Sequence, residues 1–149
     1  MKTILRKVET TTAEPAFLLI RVMVGAVFLS EGIQKFLFPA SVGAGRFAKI
    51  GLPAPETLAA ITGSFEIVCG LCVLLGLYVR AAVVPLLTIM AVASFTTKLP
   101  ILQNQGFWSM AHEGRTDFAM ILGSLFLLWR GAGAWSLDLV RKPGQPPAQ

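Results

Sequence analysis

Leu58 to Tyr78 reads LAAITGSFEIVCGLCVLLGLY, twenty-one residues with one charge, Glu66, well inside the run. At about 1.5 Å per residue it extends roughly 30 Å, the thickness of a hydrocarbon core, and so predicts a transmembrane helix. A carboxylate at that depth costs on the order of 3 kcal/mol on insertion scales and persists where a partner or a watery cavity receives it. Helical periodicity puts Ala59, Gly63, Glu66, Gly70 and Val73 on one stripe, where small residues beside the acid let another helix approach closely. That stripe is expected to face the protein interior.

Composition points the same way. Of 149 residues 54% are hydrophobic and 14% charged, well short of the ~25% charged residues of a soluble domain. The chain reads as one membrane domain. Its net charge of +5 comes from basic residues at the edges of apolar runs, where they anchor helices and set orientation, which argues against nucleic-acid binding. Both cysteines, Cys69 and Cys72, lie in one apolar run and make no secreted disulfide framework.

Residues 1–14 form a polar segment with Lys2, Arg6 and Lys7, read as a cytoplasmic tail. The first span runs from Pro15 to Phe38, with Arg21 either snorkelling to the near surface or standing as a second buried charge. Ala40 to Glu56 reads as an interfacial loop with a short amphipathic piece, GAGRFAKIG. The second span turns at once into a third, Ala81 to Thr97, as a tight antiparallel hairpin. Pro85 is placed in the first turn of that span, and Lys98 and Pro100 close its far end. Gln103 to Arg115 reads as a polar loop, and a fourth span follows from Thr116 to about Trp135. Residues 15–138 are thus expected to fold as an all-α, integral membrane, antiparallel four-helix bundle, with 139–149 a Pro-rich cytoplasmic tail. Basic residues on alternate sides favour cytoplasmic termini by a small margin.

Laid antiparallel, the four spans bring Glu31, Lys35, Glu66, Lys98 and Asp117 to one end, with His112, Arg115 and Trp108 as a lid. Mutual pairing reduces the cost of placing these charges in lipid. Two readings stay open: the charges fix packing and register, or they line a polar pocket that binds a head group or relays protons. Cys69-Gly70-Leu71-Cys72 is a C-x-x-C, but inside an apolar helix a thiol behaves as a small hydrophobe, so packing is favoured over a redox pair. One His and two mid-membrane thiols make no zinc ligand set.

RVMVGAVFLSEGIQKF, with Arg21, Glu31-Gly32 and Lys35, resembles the opening helix of the DoxX family. FEIVCGLCVLLGLYVRAA, TKLPIL, RTDFAM and WSLD are similar to the same family, so the resemblance covers about residues 16 to 138. Many members have His where this chain has Glu31, which sets aside an imidazole ligand role there. The resemblance implies a bacterial inner-membrane protein and a redox setting with quinone as mediator, but no covalent cofactor. The expected function is a small redox accessory protein beside a membrane oxidoreductase or its own copies. A quinone head group would need donors such as Lys35, Lys98 or Arg115 beside apolar walls, and a carboxylate such as Glu31 or Asp117 for protons. Two alternatives remain: a small proton-coupled transporter using Glu31 or Glu66, and an assembly or anchor subunit in which the acids only pack.

Overall fold

Every regular element of the computed structural model, which describes residues 15–140, is a helix. In chain order these are α1 (Phe17–Leu37), α2 (Ala44–Lys49), α3 (Pro55–Leu75) and α4 (Val79–Ala93), the last running through a π-helical turn (Ser94–Lys98) into α5 (Leu99–Gln105). They are followed by α6 (Phe107–Glu113), α7 (Arg115–Arg130) and α8 (Leu137–Val140). The tails expected at 1–14 and beyond Val140 lie outside the described residues.

Helix ends follow local chemistry. α3 opens with Pro55, whose missing N–H costs nothing there, and Glu56, whose charge suits a helix N-terminus. It closes at Gly76 in the left-handed region (φ 69°), with the Leu77 N–H returning to the Cys72 carbonyl at 2.8 Å. Three residues after Gly76 α4 begins, so the expected α3–α4 hairpin is present. The first amides there find an acceptor sixty residues on: Tyr78 N–H and Val79 N–H donate to the Asp138 carboxylate at 2.8 and 3.3 Å. Leu139 and Val140, expected to start the tail, belong to α8 instead.

Among the described residues three helical segments are long and apolar enough to cross a membrane: Phe17–Leu37, Pro55–Leu75 and Val79–Gln105. The third is longer than the expected Ala81 to Thr97, because the helix passes Lys98 and Pro100 without breaking. The π-helical turn explains how. Leu99 N–H reaches back to the Ser94 carbonyl, a wider register that lets the chain reach Pro100, which has no N–H, within a continuous helix. Pro85 lies inside α4 rather than in its first turn, since the helix already starts at Val79. α7 differs in the other direction. It stops at Arg130 because Gly131 (φ 84°) ends the helix, and its 16 residues extend only about 24 Å. The expected polar loop Gln103 to Arg115 is largely helical, with α5 and α6 joined at Gly106 (φ 82°).

α1 and α3 pack most closely. A Cβ on Gly32 would lie 2.7 Å from the Gly63 carbonyl oxygen, and one on Gly25 would lie 2.8 Å from that of Gly70, so backbone meets backbone. All five residues of the α3 stripe, Ala59, Gly63, Glu66, Gly70 and Val73, are buried as expected. α4 packs on both α3 and α7, and α7 reaches back to α1. Val24, Phe28, Val73, Val83, Leu86 and Leu127 fill the space between them. Large apolar side chains also point outward, Leu19, Val68, Phe95 and Phe118 each being 60% exposed or more. Such a surface suits lipid, not water.

Candidate functional site

The packing of α1 on α3 decides where the buried acid goes. The antiparallel register that sets Gly25 against Gly70 and Gly32 against Gly63 puts Lys35 about two turns beyond the level of Glu66, and the two side chains, each leaning toward the N-terminus of its own helix, close that distance. Lys35 Nζ stands 2.6 Å from Glu66 Oε2, with the two side chains only 9% and 5% exposed. A second pair joins the end of the π-helical turn to the first turn of α7, Lys98 Nζ lying 3.2 Å from Asp117 Oδ2. Asp117 also sits where the positive end of the α7 dipole favours an anion. Each pair bridges two neighbouring helices, so neither charge is left bare in an apolar layer.

The other residues expected at this end stand apart from those contacts. Glu31 is exposed one turn before Lys35 and makes no ion pair among the described residues. His112 and Arg115 are exposed, and Arg115 Nη1 donates to the His112 carbonyl at 2.6 Å, leaving the imidazole out of the contact. Trp108 is also exposed. The arrangement is therefore two interhelical ion pairs with a helical hairpin beyond the second, without the close lid expected from His112, Arg115 and Trp108.

Beside the first pair is a half-open groove of about 330 Å³. Lys35, Phe36 and Pro39 from the end of α1, Ala44 from α2, and Glu56, Ala59 and Ala60 from α3 line it. Lys35 thus both pairs with Glu66 and contributes to the wall of the groove. Glu56 was not among the expected site residues. A first-turn acid reads as a helix start, but Ala59 and Ala60 at i+3 and i+4 leave an open face beside it.

At the opposite end Arg21 is buried, 2% exposed, which resolves the two readings against snorkelling. Its Nη1 donates to the Ala132 and Ala134 carbonyls, both at 3.0 Å. Its Nη2 donates to Leu74 and Trp135 at 3.1 and 3.0 Å. Leu74 is in the last turn of α3, where exposed carbonyls favour a cation. The acceptors at 132–135 come from a turn that sequence periodicity missed. Gly131 and Gly133, both with positive φ, let that turn aim its carbonyls inward, and GAGAW after Arg130 was the available signal.

Cys69 and Cys72 are free thiols. Cys69 lies in the buried core with Cys72 packed against it, and neither lines the groove.

A family model for DoxX matches residues 16–99. The chain is 55% identical over 130 residues to the uncharacterized membrane protein Rv3486 of Mycobacterium tuberculosis, covering 83% of this chain and 80% of that protein. It is 34% identical over 126 residues to an uncharacterized protein of Haemophilus influenzae, covering 83% and 90%. No solved structure matches.

Proposed function

Because the chain belongs to the DoxX family of membrane proteins, we propose that it is a small redox accessory protein that holds a quinone head group at the Lys35 groove, working beside a membrane oxidoreductase. One observation carries this reading: Lys35, anchored by a buried carboxylate, also forms a wall of an open cavity whose other walls are mostly apolar.

The groove residues fit such a head group chemically. Lys35 has N–H donors for a carbonyl oxygen, Phe36 and Pro39 offer apolar surface to a ring, and Glu56 supplies a carboxylate for proton exchange. Glu56 takes the part that the sequence reading gave to Glu31 or Asp117. A quinone supplies two-electron, two-proton redox chemistry when bound. The protein's part is to orient one carbonyl oxygen, hold Lys35 in place through Glu66, and pass protons at the Glu56 carboxylate.

The accompanying topology is a four-span bundle in the bacterial inner membrane with both termini cytoplasmic. Support for the fourth crossing comes from α7 packing on both α4 and α1, since a helix of about 24 Å can cross when its end residues Arg115 and Arg130 snorkel.

The test is purification from the native membrane, followed by solvent extraction and chromatography of bound quinone. Wild-type protein is expected to retain quinone. Lys35→Met should lower the retained amount about tenfold or more, the loss that follows from removing a charged hydrogen-bond donor. Absence of quinone from the wild type, with proton-driven uptake by the protein alone in liposomes, would replace this reading with the transporter. Absence of both leaves the assembly subunit.

A further inference from the structure

The hairpin of α5 and α6, Leu99–Glu113, has no buried residue. It nevertheless exposes Leu99, Leu102, Phe107 (58%) and Trp108 (83%), with Phe107 and Trp108 packed edge to face, ring centroids 5.2 Å apart. Fifteen residues with that much bare apolar surface need a partner. Depth identifies one. From Val79 to Lys98 the helix runs for twenty residues, about 30 Å and one full hydrocarbon thickness. Lys98 and its partner Asp117 mark the end of that thickness, and the hairpin begins where they stop.

A straight continuation would carry the Phe107–Trp108 tip roughly 12 Å farther, past most of the headgroup layer and toward water. Both arms have a point where the chain can bend away from that straight course. On one side are the π-helical turn and Pro100, on the other Gly114 between α6 and α7. The hairpin's only formal charge is Glu113, so electrostatic attraction to anionic lipid is not what would hold it. Aromatic side chains, by contrast, concentrate at the headgroup level of a bilayer.

We propose that the Leu99–Glu113 hairpin is an interfacial arm whose Phe107–Trp108 tip seats at the boundary between headgroups and acyl chains, on the leaflet at the Lys98–Asp117 end. The partner is the neutral lipid surface itself. This arm is independent of the ligand proposed for the Lys35 groove and rests on different residues.

The test uses the full chain in phosphatidylcholine vesicles whose acyl chains carry bromine near the headgroup. Trp129→Phe with Trp135→Phe leaves Trp108 as the only tryptophan, and a companion with Trp108→Phe and Trp135→Phe leaves Trp129 as the reference. Bromolipid is expected to quench Trp108 at least half as strongly as Trp129, with aqueous acrylamide quenching it weakly. Trp108 quenched by acrylamide and untouched by bromolipid would overturn the proposal and leave the tip in water. If a double variant fails to fold, Trp108→Phe alone in the wild-type background gives the same reading: it should remove a bromolipid-quenchable share of the emission, and loss of only an acrylamide-quenchable share overturns the arm.

Discussion

Arg21 and Lys35 stand fourteen residues apart on α1, and the two ends of the molecule treat a buried cation differently. Arg21 is held by four backbone carbonyls from the end of α3 and the turn after α7. Lys35 is held by one carboxylate and opens onto a groove. Carbonyl oxygens do not exchange protons at ordinary pH, so the Arg21 end is a fixed joint. A carboxylate can accept a proton and a lysine has donors to spare, so the Lys35 end can respond to a ligand. What matters is the partner chemistry, since both cations are buried.

Breaking the fixed joint should have the largest effect. Arg21→Met removes four hydrogen bonds and leaves their carbonyls turned inward without donors, a loss on the order of 3–5 kcal/mol. Thermal unfolding in detergent should show it as a large drop in midpoint, and a midpoint unchanged within error would mean the guanidinium holds nothing together. Lys at the same position keeps the charge but lacks the guanidinium's fork of donors, so it should recover only part of the loss.

Glu66→Gln sharpens the contrast from the other side. It keeps a polar acceptor near Lys35 while removing the charge that balances it, so we expect destabilisation of about 1–3 kcal/mol, smaller than at Arg21. The diagnostic outcome is a fall in quinone retention together with that modest shift. A larger stability loss than Arg21→Met would show that the responsive end is in fact the main structural joint.

The smallest effect belongs to the layer between the ends. Replacing Cys69 and Cys72 with Ala removes one buried and one half-buried sulfur, a packing loss of roughly 1–2 kcal/mol, with quinone retention unchanged. Retention abolished with the fold preserved would move the chemistry from the groove to the thiols.

Much of this was legible from residue pattern alone. The α3 stripe was plain because one charge among small residues at helical spacing has only one comfortable place to face, and the hairpin at Gly76 to Tyr78 followed from two apolar runs nearly touching. The Lys35–Glu66 pair was readable as a shared depth, but its contact depends on the Gly32–Gly63 approach, which is a matter of register between helices. Arg21 stayed ambiguous because its partners are main-chain atoms, and a carbonyl has no letter in a sequence. The arm reads as a loop in sequence for a related reason. Gln, Asn and Pro signal a turn, yet the π-helical turn before Pro100 lets the helix continue through them as far as Gly106. Glu56 was passed over because its role depends on an open space, which arises only after α2 folds back toward α3.

The joint at Arg21 also bears on the order in which the chain is made. Its cation sits in α1 and one acceptor in α3, but the other three acceptors lie at Ala132, Ala134 and Trp135, and the cap for the first amides of α4 is Asp138. During synthesis, therefore, α1, α3 and α4 emerge with a guanidinium that has only its Leu74 acceptor and with two amide donors whose partner has not yet been translated. Those groups require water or polar lipid headgroups until the last described residues arrive. α1 thus leaves the ribosome well before the residues that close its end of the molecule.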